Sequence, residues 1–191
     1  MPPKATITKE QILQAAFEIV RVQGLEYLTA RSIAQKLNCS TQPVYRIYAN
    51  MDEVKDHVYE MAVDLMRDQI FSYQDEQNSP ALNMAIGFLH FAKQERHMFQ
   101  FVYLSGYKSF DLNQEVFIGE TLSMKPMLHS KRFRAVDESK QRNIFIKISI
   151  YLIGIGTMIH SGTLKMDFHE AVEMVRDMYE AIMAYEGRAS T

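Results

Sequence analysis

The stretch Leu28–Tyr48, LTARSIAQKLNCSTQPVYRIY, constrains the fold more than any other part of the chain. With Ala30 as position one, apolar side chains fall at four (Ile33), eight (Leu37), ten (Cys39), fifteen (Val44) and eighteen (Ile47). A small residue, Ala34, sits at five and Asn38 at nine. Two short helices crossing steeply around a tight turn need this arrangement. The small side chain admits the second helix, and the turn residue must accept a left-handed backbone, for which Gly is best and Asn next. Thr29 suits the first helix as a cap, and Ser40 or Thr41 the second.

An ordinary helical hairpin accounts for the apolar spacing but not for what is left outside. The second helix carries Thr41, Gln42, Tyr45, Arg46 and Tyr48 on its expected outer face. These are hydrogen-bonding side chains suited to a major groove and its flanking phosphates. Ser40, at the helix entry, joins them as an expected DNA contact. The pattern therefore reads as a DNA-binding helix-turn-helix.

The region from Ile7 to about His57 resembles the N-terminal domain of the TetR/AcrR family of transcriptional repressors. The residues carrying the resemblance are Ile12-Leu13-Gln14-Ala15-Ala16-Phe17, Gly24, Leu28 through Ala34, Ser40, and Val44-Tyr45-Arg46-Ile47-Tyr48. The rest of the chain is similar to the family only in length and helical character. The resemblance implies an all-α homodimer in which a three-helix head sits on a larger helical body, about nine helices in all. Residues 1–50 would be the DNA-binding domain and 51–191 the ligand-binding and dimerisation domain. It also implies that Arg31, which points away from the apolar stripe, contacts the operator. Where the family usually has a phosphate-binding lysine this chain has Met51, and Lys55, one turn on, is the expected substitute.

Charge is distributed as one DNA-facing end requires. Residues 1–50 contain six Lys/Arg and three Asp/Glu, a balance of +3, whereas the whole chain carries −2. The remaining residues thus hold −5, and a basic small unit beside an acidic large one is the asymmetry of a protein that meets phosphate at one end.

Along the chain, Thr8-Lys9-Glu10-Gln11 opens a first helix as a capping box, with Leu13, Ala16, Phe17 and Val20 on its apolar stripe and Gly24 at its end. Pro43 falls in a first helical turn, where a missing N–H is tolerated, but it restricts Gln42. Asn50 and Glu53 cap a fourth helix to about Tyr73. Further helices are expected at about 80–95, 97–105 and 112–129, with Pro126 a kink or early stop, followed by a basic loop over Lys131–Asp137. Two long closing helices follow over 137–163 and 167–186.

Phe88 to Phe117 holds eight of the chain's 21 Phe and Tyr, far above its share of the length. A densely packed helical core is one reading. The other is an aromatic-lined pocket for an apolar or aromatic ligand, with Phe88, Phe91, Phe99, Tyr103, Tyr107, Phe117, Met124 and Tyr151 as its wall and His90 or His97 as polar anchors. The resemblance adds weight to the pocket, because such proteins commonly hold an inducer there. The closing helices carry Ile148, Leu152 and Ile155, then Val175, Tyr179 and Ile182, as broad apolar stripes. They either roof the core or, as the resemblance implies, pair with a second copy in a four-helix interface.

Catalysis has no candidate group. The six histidines lack metal-ligand spacing, Cys39 occupies a core position of the motif, and no glycine-rich loop follows a strand. No metal or cofactor is expected. A single cysteine excludes an intramolecular disulfide. No run reaches the ~20 apolar residues of a membrane span, the nearest (144–159) being broken by Lys147, Ser149 and two glycines. The N-terminus lacks an apolar signal core, so a cytoplasmic protein with no membrane partner is expected. The reading is a sequence-specific transcriptional regulator, a homodimeric repressor released from double-stranded operator DNA by a small molecule. The alternative is a DNA-binding member without an inducer, controlled by a protein partner or acting structurally on DNA.

Overall fold

The computed structural model describes residues 6–109, 120–163 and 165–186. The described residues are helical, with no strand among them, and form ten α-helices, a 3₁₀ turn and a π-helical turn. They divide into two compact units: Met1–Leu65 with Glu95–Lys108, and Met66–Gln94 with Ser109–Thr191.

In the first unit, α1 (Lys9–Gln23) begins with the expected capping box: Thr8 accepts from the Gln11 N–H and the Gln11 side chain accepts from the Thr8 N–H. Its buried face is Ile12, Ala15, Ala16, Phe17, Ile19 and Val20. Leu13, expected on the stripe, is only half-buried, and Ile12 takes the core position. Gly24 ends the helix at φ 109° and leads into the 3₁₀ turn Leu25–Tyr27. The helix-turn-helix is α2 (Ala30–Lys36) and α3 (Gln42–Ile47). Then α4 (Met51–Ser72) opens with the Asn50 side chain accepting from the Glu53 N–H, 3.0 Å. The Glu53 carboxylate reaches one residue further back than a standard box, to the Ala49 N–H at 3.1 Å.

Residues 96–104 return to this unit as the short helix α6 (Arg96–Phe99) and the π-helical turn Gln100–Leu104, where a single helix over 97–105 was expected. Contacts between α6 and α1 are fastened by Arg21, whose Nε donates to Glu95 at 2.8 Å with a second bond from Nη2. Glu95 is 7% exposed, so this pair is largely shielded from screening. Hydrogen bonding to Glu95 holds the guanidinium pKa above its ordinary value.

The second unit is built on α5 (Pro80–Gln94), α7 (Glu120–Met127), α8 (Lys131–Arg134), α9 (Glu138–Ser161) and α10 (Phe168–Glu186). Gly87 of α5 lies so close to α4 that a Cβ there would stand 2.5 Å from the Ile70 carbonyl oxygen. Lys131–Arg134, expected as loop, is a helical turn, because Ser130 caps it and Phe133 inserts fully into the core while its basic neighbours stay exposed. Phe133 joins Met127, Val136, Ile144, Phe145, Tyr179 and Met183 in one cluster. The buried Gln141 amide donates to the Phe133 and Val136 carbonyls, pinning the junction into α9. By length and composition α9 could cross a membrane, but here it lies against α5 and α10 with Ile144, Leu152 and Ile155 buried.

Candidate nucleic-acid interface

The local chemistry of the helix-turn-helix follows from its caps and its turn. Thr29 and Ser32 form a reciprocal capping box at the start of α2, and the Ser32 hydroxyl also donates to the Tyr27 carbonyl at 2.7 Å. Asn38 takes the left-handed backbone at φ 50°, as its place in the turn demands. Ile33, Ala34 and Val44 are buried where the helices cross. Leu37 and Cys39 are only half-buried, because they lie on the turn rather than at the crossing.

The start of α3 differs from the expectation of a Ser or Thr cap. Thr41 is the N-cap residue but has a helical backbone (φ −73°, ψ −14°) and makes no side-chain cap bond. The two N–H groups that such a cap serves are spoken for otherwise. Pro43 has none, and the Val44 N–H bonds the Thr41 carbonyl at 3.1 Å.

What α3 leaves outside is polar. Gln42, Tyr45 and Arg46 are exposed, as are Arg31 on α2 and Ser40 in the turn, and Thr41 is partly exposed. Arg31, Gln42, Tyr45 and Arg46 have no side-chain hydrogen bond or ion pair among the described residues. Their donors are free for an outside partner. A cleft of ≈ 950 Å³ over the turn and the start of α3 is lined by Ser40, Thr41, Gln42, Tyr45 and Arg46, with Cys39 and Ile7 at its edge. Lys55 is partly exposed and held 2.9 Å from Asp52, an ion pair it must exchange to meet phosphate.

Tyr48 is not on that face. It caps the C-terminus of α3 with extended backbone and is 2% exposed. Its ring packs edge-on against His57 at 5.7 Å, with the Lys9 ammonium 5.5 Å above it. Burial, then the charges of Glu10 and Glu53, push its phenol pKa up to about 12. The His57 Nδ1 lies 2.8 Å from the Glu53 carbonyl, which can only accept, so Nδ1 carries the proton and Nε2 faces the Lys9 ammonium at 3.5 Å. Tyr48 thus joins α1, α3 and α4 and supports α3 from behind. The helical period assigned it outward because that period ends one residue before it.

The residues expected to line a ligand site are divided between the units. Phe99, Tyr103 and Tyr107 belong to the first, and Phe88, Phe91, Met124 and Tyr151 to the second, while Phe117 lies outside the described residues. Phe88, Phe91 and Phe99 are buried, and the other four are half-buried. In the first unit, Tyr59, Phe101 and Tyr107 pack on one another with centroids 5.4–5.9 Å apart. The Tyr107 hydroxyl donates to Asp56 at 3.0 Å, and Lys108 reaches the same carboxylate at 2.8 Å. Those bonds hold the Asp56 pKa down, and burial pushes that of Tyr107 up to about 12. His90 stacks between Tyr73 and Phe168 and lines a small polar cleft with Gln69, Ser72, Tyr73 and Gln94. Burial, then Lys93, lowers the His90 pKa.

The residues expected to pair with a second copy face inward. Leu152, Ile155, Val175 and Tyr179 are buried, and Ile148 and Ile182 pack against the Phe133 cluster. Both helices were assigned one stripe each, and that stripe serves the unit's own core. The exposed apolar residues are others: Ile150 and Met158 on α9, and Met174 and Tyr185 on α10, at 54%, 47%, 41% and 71% exposure. Gly154 lies between the first two with nothing within 4 Å of where a Cβ would stand. The spacing 150, 154, 158 is a helical stripe in the sequence, but two polar neighbours, Lys147 and Ser149, masked it beside the stronger one.

No protein-family model and no curated protein matches the chain. Among solved structures, a TetR-like transcriptional regulator from Rhodococcus sp. RHA1 matches over 100% of both chains, at a TM-score of 0.59 and 18% identity. From end to end, the chain has the fold of that TetR-like regulator.

Proposed function

We propose that this protein is a sequence-specific DNA-binding transcriptional regulator that acts as a homodimeric repressor and leaves its operator when a small apolar or aromatic molecule binds. The observation that carries the reading is the set of exposed, unengaged donors on the helix-turn-helix: Arg31, Gln42, Tyr45 and Arg46. Their chemistry matches base edges and phosphates. Ser40, Thr41 and Lys55 add backbone contacts, and the +3 balance of residues 1–50 supports the same end of the chain. The likeness in fold to a TetR-like regulator agrees with it. The working site is the cytoplasm, where operator DNA is.

The dimer reading now rests on different side chains. Ile150, Gly154 and Met158 on α9 and Met174 and Tyr185 on α10 form the apolar surface available to a second copy. One head reads a short half-site, and two heads at a fixed separation give affinity and select spacing. A ligand shifts such a dimer only through unequal affinity for its conformers.

The mutual packing of Tyr59, Phe101 and Tyr107 favours a second reading, a DNA-binding regulator with no small-molecule inducer, since these aromatics serve as core. In either case a Gln42→Ala/Tyr45→Ala double variant tests the reading face. Two lost base contacts cost about 2–6 kcal/mol together. Operator affinity should fall at least about thirtyfold with the thermal midpoint unchanged, because both side chains are exposed. Unchanged affinity and sequence preference would sink the assignment.

A further inference from the structure

The cations of the first unit fall into two groups. Arg21, Lys36, Lys55 and Lys108 are each held by a carboxylate: Glu95, Glu18 at 2.8 Å, Asp52 at 2.9 Å and Asp56 at 2.8 Å. Lys9, Arg31 and Arg46 form no ion pair among the described residues. All three are exposed, and α1, α2 and α3 contribute one each. A paired lysine must give up its carboxylate to meet a phosphate. An unpaired one exchanges only water, and the phosphate releases its counterions.

Lys9 is also held in place. Its ammonium stands 5.5 Å above the Tyr48 ring and 3.5 Å from His57 Nε2. The His57 Nδ1 carries the proton that meets the Glu53 carbonyl, so Nε2 presents a lone pair to the ammonium. A ring face and a lone pair attract the charge without cancelling it. Of the three N–H donors on the ammonium, these two neighbours leave one unspent. A long, flexible side chain fixed before its partner arrives pays less for ordering on binding. The nearby carboxylates do not neutralise it. Glu10 makes no ion pair with Lys9, and Glu53 accepts from the Ala49 N–H at 3.1 Å. The position suits the same partner as α3. Thr6 and Ile7, just before α1, line the cleft over the start of α3 together with Gln42, Tyr45 and Arg46. Tyr48, beneath the ammonium, follows directly on α3.

We propose that Lys9 binds a phosphate of double-stranded DNA, as the α1 member of a set completed by Arg31 on α2 and Arg46 on α3. It contributes more than Lys55, which has Asp52 to release. This assignment rests on the reading of the head as a DNA-binding unit. A phosphate contact carries no sequence information, so Lys9 adds affinity and fixes register, and base preference stays with α3.

The test is binding of the full chain to labelled duplexes, by fluorescence anisotropy over a series of salt concentrations. Two duplexes are compared, a site selected from random DNA and an unselected one of equal length. Lys9→Gln should weaken both by the same factor, at least about fivefold at low salt, and lower the salt slope by about 0.9 per bound head. Lys9→Arg, which keeps the charge, should restore the slope, and Lys55→Gln should change it less than Lys9→Gln does. An unchanged slope in Lys9→Gln overturns the proposal, even if affinity falls. That result, or an altered sequence preference, would mean that Lys9 only braces Tyr48 and His57. Wild-type protein that binds neither duplex takes the DNA-binding reading down as well. Wild-type binding with Lys9→Gln unaffected removes Lys9 alone.

Discussion

The helix-turn-helix and the pair α9 and α10 expose opposite kinds of surface. On the helix-turn-helix the buried side chains are small or aliphatic, Ala34, Ile33 and Val44, and the exposed ones are amide, phenol and guanidinium. On α9 and α10 both faces carry apolar residues: Leu152, Ile155, Val175 and Tyr179 inside, Ile150, Met158, Met174 and Tyr185 outside. A polar exposed face asks for a partner that accepts and donates hydrogen bonds in fixed directions, such as a groove of DNA. An apolar exposed face asks only to be covered, and a second copy is the cover proposed for it.

The largest expected effect tests that second half. Ile150→Lys/Met158→Lys places two charges where a partner's apolar surface would lie. The dimer should weaken more than a hundredfold, since truncation-sensitive interface positions are worth about 2 kcal/mol or more each. Sedimentation velocity reads this directly. A dimer that persists unchanged puts the interface elsewhere, and the exposed stripe then needs another occupant.

Next in size is a change inside the second unit. A Cβ at Gly87 meets the backbone of Ile70, which cannot step aside as a side-chain tip can. Gly87→Ala should cost ~2 kcal/mol despite its gain in helix propensity. Denaturant unfolding measures the loss, and a stabilised variant would mean that α5 stands further from Ile70 than the structure places it. The first unit offers a smaller effect of the same kind. Asn38 sits at φ 50°, so Asn38→Val should cost about 1 kcal/mol or somewhat more, and Asn38→Gly little. Equal stability of the two variants would remove the left-handed turn from the account.

The smallest effect concerns pH. Burial lowers the His90 pKa in the folded state. The unfolded chain therefore binds more protons over the window between the lowered folded value and the ordinary value near 6.5. Stability from this group is intact above that ordinary value and declines as pH falls through the folded one. His90→Phe should flatten the fall in thermal midpoint between pH 7 and pH 5 by a small margin. A steeper fall in the variant contradicts the sign.

The head was largely legible in the sequence. Thr8 with Gln11, Thr29 as a cap, and Asn38 are local devices whose chemistry acts within four residues, and the structure shows them in place, adding Ser32 as the partner of Thr29 that the sequence reading missed. Where the head misled, the cause was also local. Tyr48 lies one residue past the end of α3, where the helical period no longer assigns a face, and Pro43 removed the N–H that a cap on Thr41 would have met. The second unit was less legible because its helices are apolar on more than one side. Period alone finds an apolar stripe on α9 and α10 but cannot tell a stripe buried in its own unit from one left open. Phe133 shows the same limit. Set among Lys131, Arg132 and Arg134 it reads as part of a charged loop, yet one aromatic side chain in the core is enough to fold the segment into α8. The π-helical turn at Gln100–Leu104 left no signal in composition, since it depends on how that turn packs.

Every functional proposal made for this protein depends on the exposed face of α3 reading DNA sequence. The most direct measurement is selection of bound sequences from random duplex DNA, carried out at several salt concentrations. The expected result is enrichment of a palindromic or near-palindromic site, with affinity falling steeply as salt rises, because phosphate contacts release counterions. A folded protein that enriches no sequence, or binds with no dependence on salt, would contradict it.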